Sequence, residues 1–308
     1  MFSFVLLAFI SGLLLSNQSP INARLGRGLG SPFIAASFSF TIGTIFLGIV
    51  TFIQTNTLFP SIQFISQQPA WIWLGGLLGC IYLTSNILLF PRIGAVKTVV
   101  LPILGQIIMG IAIDTFGWFG ATSSTFNVLQ AVGVGIMFTG ILLTVTVGNN
   151  GFQSQQTTNV TTILWMIWAV IIGMVSAMQQ AINGHLGTLL HSSVQAAFMS
   201  FGIGMVLIVS VTLFLTRHNY PSKDMFLKVE PWAFTGGILG ALFVLTTVIS
   251  VPAIGTGLTI MMALIGQVVG SILVQQFGLW KSKQTSVQLK QILGILIMVV
   301  GIVLIKFL

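Results

Sequence analysis

The sequence repeats itself at a single offset. Asn22 and Asn183 stand 161 positions apart, and the same shift carries Gly12 onto Gly173, Gln18 onto Gln179 and Leu25-Gly26 onto Leu186-Gly187. It relates Ala36 to Ala197, Ser39-Phe40 to Ser200-Phe201, Gly43 to Gly204, Trp71 to Trp232, Gly75-Gly76 to Gly236-Gly237 and Gly79 to Gly240. Further on it joins Pro91 to Pro252, Gly94 to Gly255, Gly105-Gln106 to Gly266-Gln267, Phe116-Gly117 to Phe277-Gly278, Gln130 to Gln291 and Gly140 to Gly301. Chance likeness between apolar segments does not hold one ungapped register across half a chain, so the chain is a duplicated unit.

What is duplicated is set by hydropathy. Of 308 residues, only 3 are acidic and 11 are Lys or Arg, and charged residues make up 5%, against roughly 25% in soluble domains. Mean hydropathy is +1.06. Such a chain cannot clothe a water-soluble globule, and disorder demands the opposite composition. A bilayer core takes about 20 apolar residues per helix. Ten candidates follow: residues 2–21, 32–52, 70–90, 94–113 and 128–147 in the first half, and 162–182, 193–215, 232–251, 255–274 and 289–307 in the second. The predicted organisation is a five-helix unit over 1–148, a linker over 149–161 and a second five-helix unit over 162–308. The first segment lacks a preceding Lys or Arg and a small-residue cleavage site, so it reads as a retained helix. Five is odd. Two such units joined head to tail cross the membrane in opposite senses, the inverted-repeat design of many secondary transporters.

The cations set an orientation. Arg24, Arg27, Arg92, Lys97, Arg217, Lys223, Lys228, Lys281, Lys283 and Lys290 fall on one side of this segmentation, and only Lys306 falls on the other. The positive-inside rule places the crowded side in the cytoplasm and both termini outside. The same rule accounts for the net charge of +8 without nucleic acid. A single cysteine, Cys80, leaves no disulfide framework. His185 and His191, expected in the connection after the sixth span, have no Cys, Asp or Glu beside them, and neither a metal site nor a cofactor is expected. Asn159-Val160-Thr161 fits a glycosylation triplet but lies on the cytoplasmic side of this topology. No catalytic set or phosphate-binding loop is visible, so the expectation is not an enzyme.

The candidate site residues are buried amides. Gln18 and Asn22 share one helix face, and Gln179 and Asn183 repeat the arrangement. Gln106 and Gln267 fall well inside their spans. Amides in hydrocarbon need partners, so these six point inward, either to bind a polar solute or to join helices. Asp114 is the one carboxylate near a span, a coupling candidate if it is more than an interfacial acid. Its counterpart is Gln275. Gating candidates are Pro102, which should kink its helix beside Gln106, and the pair Arg92 and Lys97, which otherwise snorkel to the interface. Gly75-x3-Gly79 and Gly236-x3-Gly240 are small-residue pairs suited to close helix packing. Trp71, Trp73 and Trp232 read as interfacial anchors.

One pattern is distinctive: Gln18-x3-Asn22-x2-Leu25-Gly26, Ala36-x2-Ser39-Phe40-x2-Gly43, Trp71-x3-Gly75-Gly76-x2-Gly79, Pro91-Arg92-Ile93-Gly94-Ala95, Gly105-Gln106 and Asp114-x-Phe116-Gly117. It resembles the YdcZ-type family of the drug/metabolite transporter superfamily in tandem two-copy form. The resemblance covers nearly the whole chain and is strongest in the first half. The second half departs at Gln275 and at Ala253, which replaces Arg92. The resemblance implies a bacterial plasma-membrane transporter of ten helices in inverted halves, carrying a small polar or amphipathic solute. With both repeats on one chain, a monomer suffices. Relatives in that superfamily keep both termini in the cytoplasm, whereas the charge count here predicts the reverse. The other reading of the residues is a non-transporting membrane scaffold or assembly protein. A channel is disfavoured by the scarcity of pore-lining groups. Uniport and proton-linked exchange both fit the sequence.

Overall fold

A computed structural model describes residues 1–123, 125, 127–147, 160–216, 221–282, 284 and 286–307, with their side chains except those of 86, 87, 90, 91, 94–100, 145–147, 306 and 307. Arg217, Lys283, most of the expected linker and the Lys97 and Lys306 side chains fall outside this set. The described residues form helices and no strand: α1 (Phe2–Gly28), α2 (Pro32–Thr55), α3 (Ile62–Gln67), α4 (Gly75–Phe116), α5 (Val128–Val147), α6 (Val160–Leu189), α7 (Ser193–Leu215), α8 (Lys223–Lys228), α9 (Gly236–Ile254), α10 (Thr256–Phe277) and α11 (Leu289–Phe307).

Boundaries follow local chemistry. Pro32 opens α2, where its missing N–H costs nothing, and Asn56 closes it with φ 56°. Ser192 caps α7, its hydroxyl accepting from the Gln195 N–H at 3.2 Å. The equivalent glycines Gly117 and Gly278 stop α4 and α10 at φ 67° and 61°, a backbone region that favours glycine. Six helical segments are long and apolar enough to cross a membrane: Phe2–Gly28, Pro32–Thr55, Val160–Leu189, Ser193–Leu215, Pro231–Ile254 and Thr256–Phe277. Four shorter apolar stretches are Gly75–Ser85, Leu101–Phe116, Val128–Thr144 and Leu289–Ile305.

α4 differs from the expectation of two separate spans, because its helical run is unbroken for 42 residues. A straight helix of that length reaches about 63 Å. Yet Trp71, just before it, lies 5.7 Å ring to ring from Phe119, just after it. The run therefore doubles back into two legs. Both legs lean on α6. Gly75 and Gly79 meet Asn183 and Gln179, while Pro102 and Gly105 meet Gly173 and Val170. In the second half the corresponding change of direction is an open break at Gly255, φ 84°.

Contacts between the halves are reciprocal. A Cβ on Gly236 would overlap Asn22, and one on Gly75 would overlap Asn183. Gly266 abuts the Phe9 carbonyl as Gly105 abuts that of Val170, and Gly12 abuts the Ala263 carbonyl as Gly173 abuts that of Pro102. Equivalent helices pair antiparallel. In α2 and α7, Phe40 meets Gly204 and Gly43 meets Phe201; in α5 and α11, Gly133 meets Gly301 and Gly140 meets Gly294. Small residues at these crossings let backbones approach closely, which is how helices gain packing energy in lipid.

Candidate functional site

The predicted amides gather along the seam between the halves. Asn22 and Gln18 lie in the notch that Gly236 and Gly240 open in α9, and Asn183 and Gln179 lie in the notch of Gly75 and Gly79 in α4. The Asn22 oxygen accepts from the Ser39 hydroxyl at 2.6 Å. Asn183 is 2% exposed, and its oxygen has no hydrogen-bond partner. All four sit well inside helices that run past the ends of the predicted spans. Gln106 is buried at the junction of the two α4 legs with α6. Its Nε2 lies 3.4 Å from the Tyr82 hydroxyl and 3.5 Å from that of Ser176. Gln267 is half-buried at the contact of α10 with Gly12 of α1. The Pro102 carbonyl presses on Gly173, at the closest approach of the second α4 leg to α6. Arg92 holds its guanidinium 4.4 Å over the Trp165 ring and donates to the Leu88 carbonyl at 2.6 Å.

A cavity of about 420 Å³ opens at one end of the molecule, between the end of α4, the end of α6 and the α9–α10 break. Of the predicted site residues, it takes in Asp114 alone, together with Gln130, His185, Thr188 and Ser123 over a floor of Ile111, Ala181 and Met261. Asp114 accepts from the backbone N–H groups of Thr256 at 2.8 Å and Gly257 at 2.7 Å. These are the first free donors of α10, so the carboxylate caps a helix of the other half and meets the positive end of its dipole. That role needs no second copy at Gln275. His185, contrary to expectation, belongs to α6 rather than to the connection after it, and stacks on Trp71 at 5.6 Å and 17°. His191 is in the turn beyond, at φ 49°.

The opposite end carries ions. Glu230 accepts from Arg24 Nε at 2.9 Å and Nη2 at 2.8 Å, and also from Lys281. The Arg24 hydrogen bond first, then that of Lys281, holds the Glu230 carboxyl down to about 2. Beside this cluster Trp232 packs on Trp280 at 5.3 Å, and the Trp280 N–H donates to the Asn17 oxygen at 2.8 Å. Shifting these residues by 161 positions gives the first end: Trp71 for Trp232, Phe119 for Trp280, His185 for Arg24, Pro69 for Glu230 and Gly120 for Lys281. Both Phe119 and Trp280 hold φ 57°. The scaffold is copied and the chemistry is not. Sequence reading sought residues that the repeat preserves, and so passed over Glu230 and the partners of Gln106; the available signal was the set of positions where the register holds but the residue type changes.

A family model described as "Putative inner membrane exporter, YdcZ" matches the chain twice, over residues 3–143 and 164–304. The second match begins and ends 161 residues after the first. No curated protein matches the chain. Among the solved structures that are similar, a crystal structure matches over 100% of this chain and 97% of its own, with a TM-score of 0.72 at 14% identity, which bears on the fold alone. Matched over most of its length, the chain belongs to the YdcZ family in two-copy form and is a multi-pass inner-membrane transporter.

Proposed function

We propose that the protein is a secondary transporter in which two inverted five-helix repeats, ten spans in all, give a small polar or amphipathic solute alternating access to the two sides. The observation that carries this reading is the reciprocal contact pattern, with equivalent helices α2/α7 and α5/α11 antiparallel. Such a relation provides two states of nearly equal energy, reached by exchanging the conformations of the halves. The cavity at Asp114 is the mouth on one side, and the Arg24–Glu230–Lys281 cluster closes the other. The cation-rich end is cytoplasmic and both termini are external. Gln106 and Gln267 hold the solute, and the four notch amides line the seam along which the halves move. Asp114 remains the coupling candidate only in a state where α10 is uncapped.

Uptake of labelled solutes into proteoliposomes tests this. Gln106→Leu with Gln267→Leu is expected to abolish transport while the protein stays monodisperse; unchanged uptake removes these residues from the site. Orientation is read separately with single cysteines in a Cys80→Ala background. Labelling of a cysteine at position 27 by an impermeant reagent outside intact cells overturns it.

A further inference from the structure

The two glycine notches differ in one bond. Nearly every other contact is repeated. Gly236 lies against the Asn22 oxygen and Gly75 against that of Asn183. The next glycines rest on serine carbonyls, Gly237 on Ser39 and Gly76 on Ser200. Gly240 and Gly79 lie against the side-chain amides of Gln18 and Gln179. The serine hydroxyls break the match. Ser39 donates to the Asn22 oxygen at 2.6 Å and so ties α2 to α1. Its equivalent, Ser200 on α7, stands at the same glycine as Asn183 on α6: a Cβ on Gly75 would lie 3.3 Å from the Ser200 hydroxyl. Yet the Asn183 oxygen has no hydrogen-bond partner. Asn183 and Ser200 are 2% and 4% exposed.

A buried carbonyl without a donor carries a free-energy penalty. Here the missing donor is on the neighbouring helix, so a shift of α7 against α6 can remove the penalty. The bond also follows the condition of its end. Asn22 stands two residues before Arg24, at the end that the ion cluster closes. Asn183 lies between Ala181 and His185, which line the cavity that opens at the other end. The bond is made where the molecule is shut and unmade where it is open.

We infer that Asn22–Ser39 and Asn183–Ser200 are the two parts of an exchanging latch, each bond forming as its own end closes and parting as that end opens. Closing the cavity end brings the Ser200 hydroxyl onto the Asn183 oxygen, and opening the cation-rich end draws Ser39 off Asn22. One bond is traded for another of the same kind, so the two states stay close in energy. A form open at both ends would lack both bonds, so the latch disfavours a leak. This inference rests on the transporter reading and gives it a device at each end.

Thiol labelling tests it on the full chain in nanodiscs, where the reagent reaches both faces. The reporter is Ser16→Cys in a Cys80→Ala background. Position 16 is buried against Gly270 and adjoins Asn17, which Trp280 holds at the cation-rich end. Ser39→Ala removes the bond made in this structure and should speed labelling about fivefold, the weight of one hydrogen bond. Ser200→Ala removes a bond made only in the opposite state and should slow labelling by a similar factor. The double variant should return near the starting rate. Ser200→Ala is decisive, because loss of a merely structural contact in one notch does not tighten the far end of the molecule. Melting confirms that each variant is folded. Any other pair of directions, or no change in either variant, overturns the latch. Uptake of labelled solutes is measured separately. A chain that transports while the reporter ignores both serines keeps the transporter reading and loses the latch. Opposite shifts in a chain that moves no solute leave the latch standing and sink the reading.

Discussion

The two ends of the molecule are built on one plan and closed by different forces. At the cation-rich end, Arg24, Glu230 and Lys281 tie α1 to the segments flanking α9 and α10, beside the Trp232–Trp280 pair. At the other end the same positions hold His185, Pro69 and Gly120, and closure rests on ring contacts among Trp71, Phe119 and His185. Ring stacking in a partly dry site is little affected by salt, whereas an exposed ion cluster is screened. The repeat thus gives two ends of one geometry, and the residue types at equivalent positions make them respond to different conditions.

The largest expected effect lies at the aromatic end. Trp71→Ala removes a ring with no ionic reserve beside it and should cost about 3 kcal/mol in denaturation experiments. Trp232→Ala, backed by the ion cluster, should lower the Tm visibly less; equal losses would erase the distinction. Next is the cap. Asp114→Ala frees the α10 donors and should cost about 1–2 kcal/mol, while Gln275→Ala, at the equivalent position, should leave thermal stability nearly unchanged.

Smaller effects belong to the ions. With Cys80→Ala and a reporter cysteine at position 16, buried against Gly270, Glu230→Arg should speed thiol labelling a few-fold, and adding Arg24→Glu should restore much of the protection. High salt should mimic the single variant weakly; a reporter near Ala181 should ignore both. The smallest effect is that of pH. The Glu230 carboxyl is held at about 2, below its ordinary value of 4.5, so its contribution is complete above pH 4.5 and fades as pH falls towards 2. Labelling at position 16, taken relative to an exposed reporter thiol at the same pH, should stay flat from pH 8 to 5, and a relative rise within that window would point to another group.

Much of the fold was legible because lipid imposes a coarse code. The bounds of α5, α7 and α11 coincide with those expected from hydropathy. α1 and α6 run on past the apolar stretch to Gly28 and Leu189, since a helix does not stop where the hydrocarbon does. α3 and α8 span six residues each, too few for periodicity to register. The doubling back of α4 inside one helical run is fixed by contacts with α6, more than 60 positions away in sequence. The site was less legible for a related reason. That Gln18, Asn22, Gln179 and Asn183 are inward-facing follows from the energetics of amides in lipid. That each nests against a glycine of the opposite copy is a property of the assembled pair. Asp114 was visible as an isolated acid, but its partners are backbone donors, which leave no mark in a sequence.

The crossing of α5 with α11 has a consequence for how the chain is made. Gly133 and Gly140 leave a bare strip on the last helix of the first copy, and the strip that covers it, Gly294 and Gly301, lies in the second copy and leaves the ribosome more than 150 residues later. During synthesis the leading copy waits in the bilayer with an uncovered groove. Two gene fragments divided within 149–159 and expressed together should therefore reunite, while the leading fragment alone should be cleared by proteolysis.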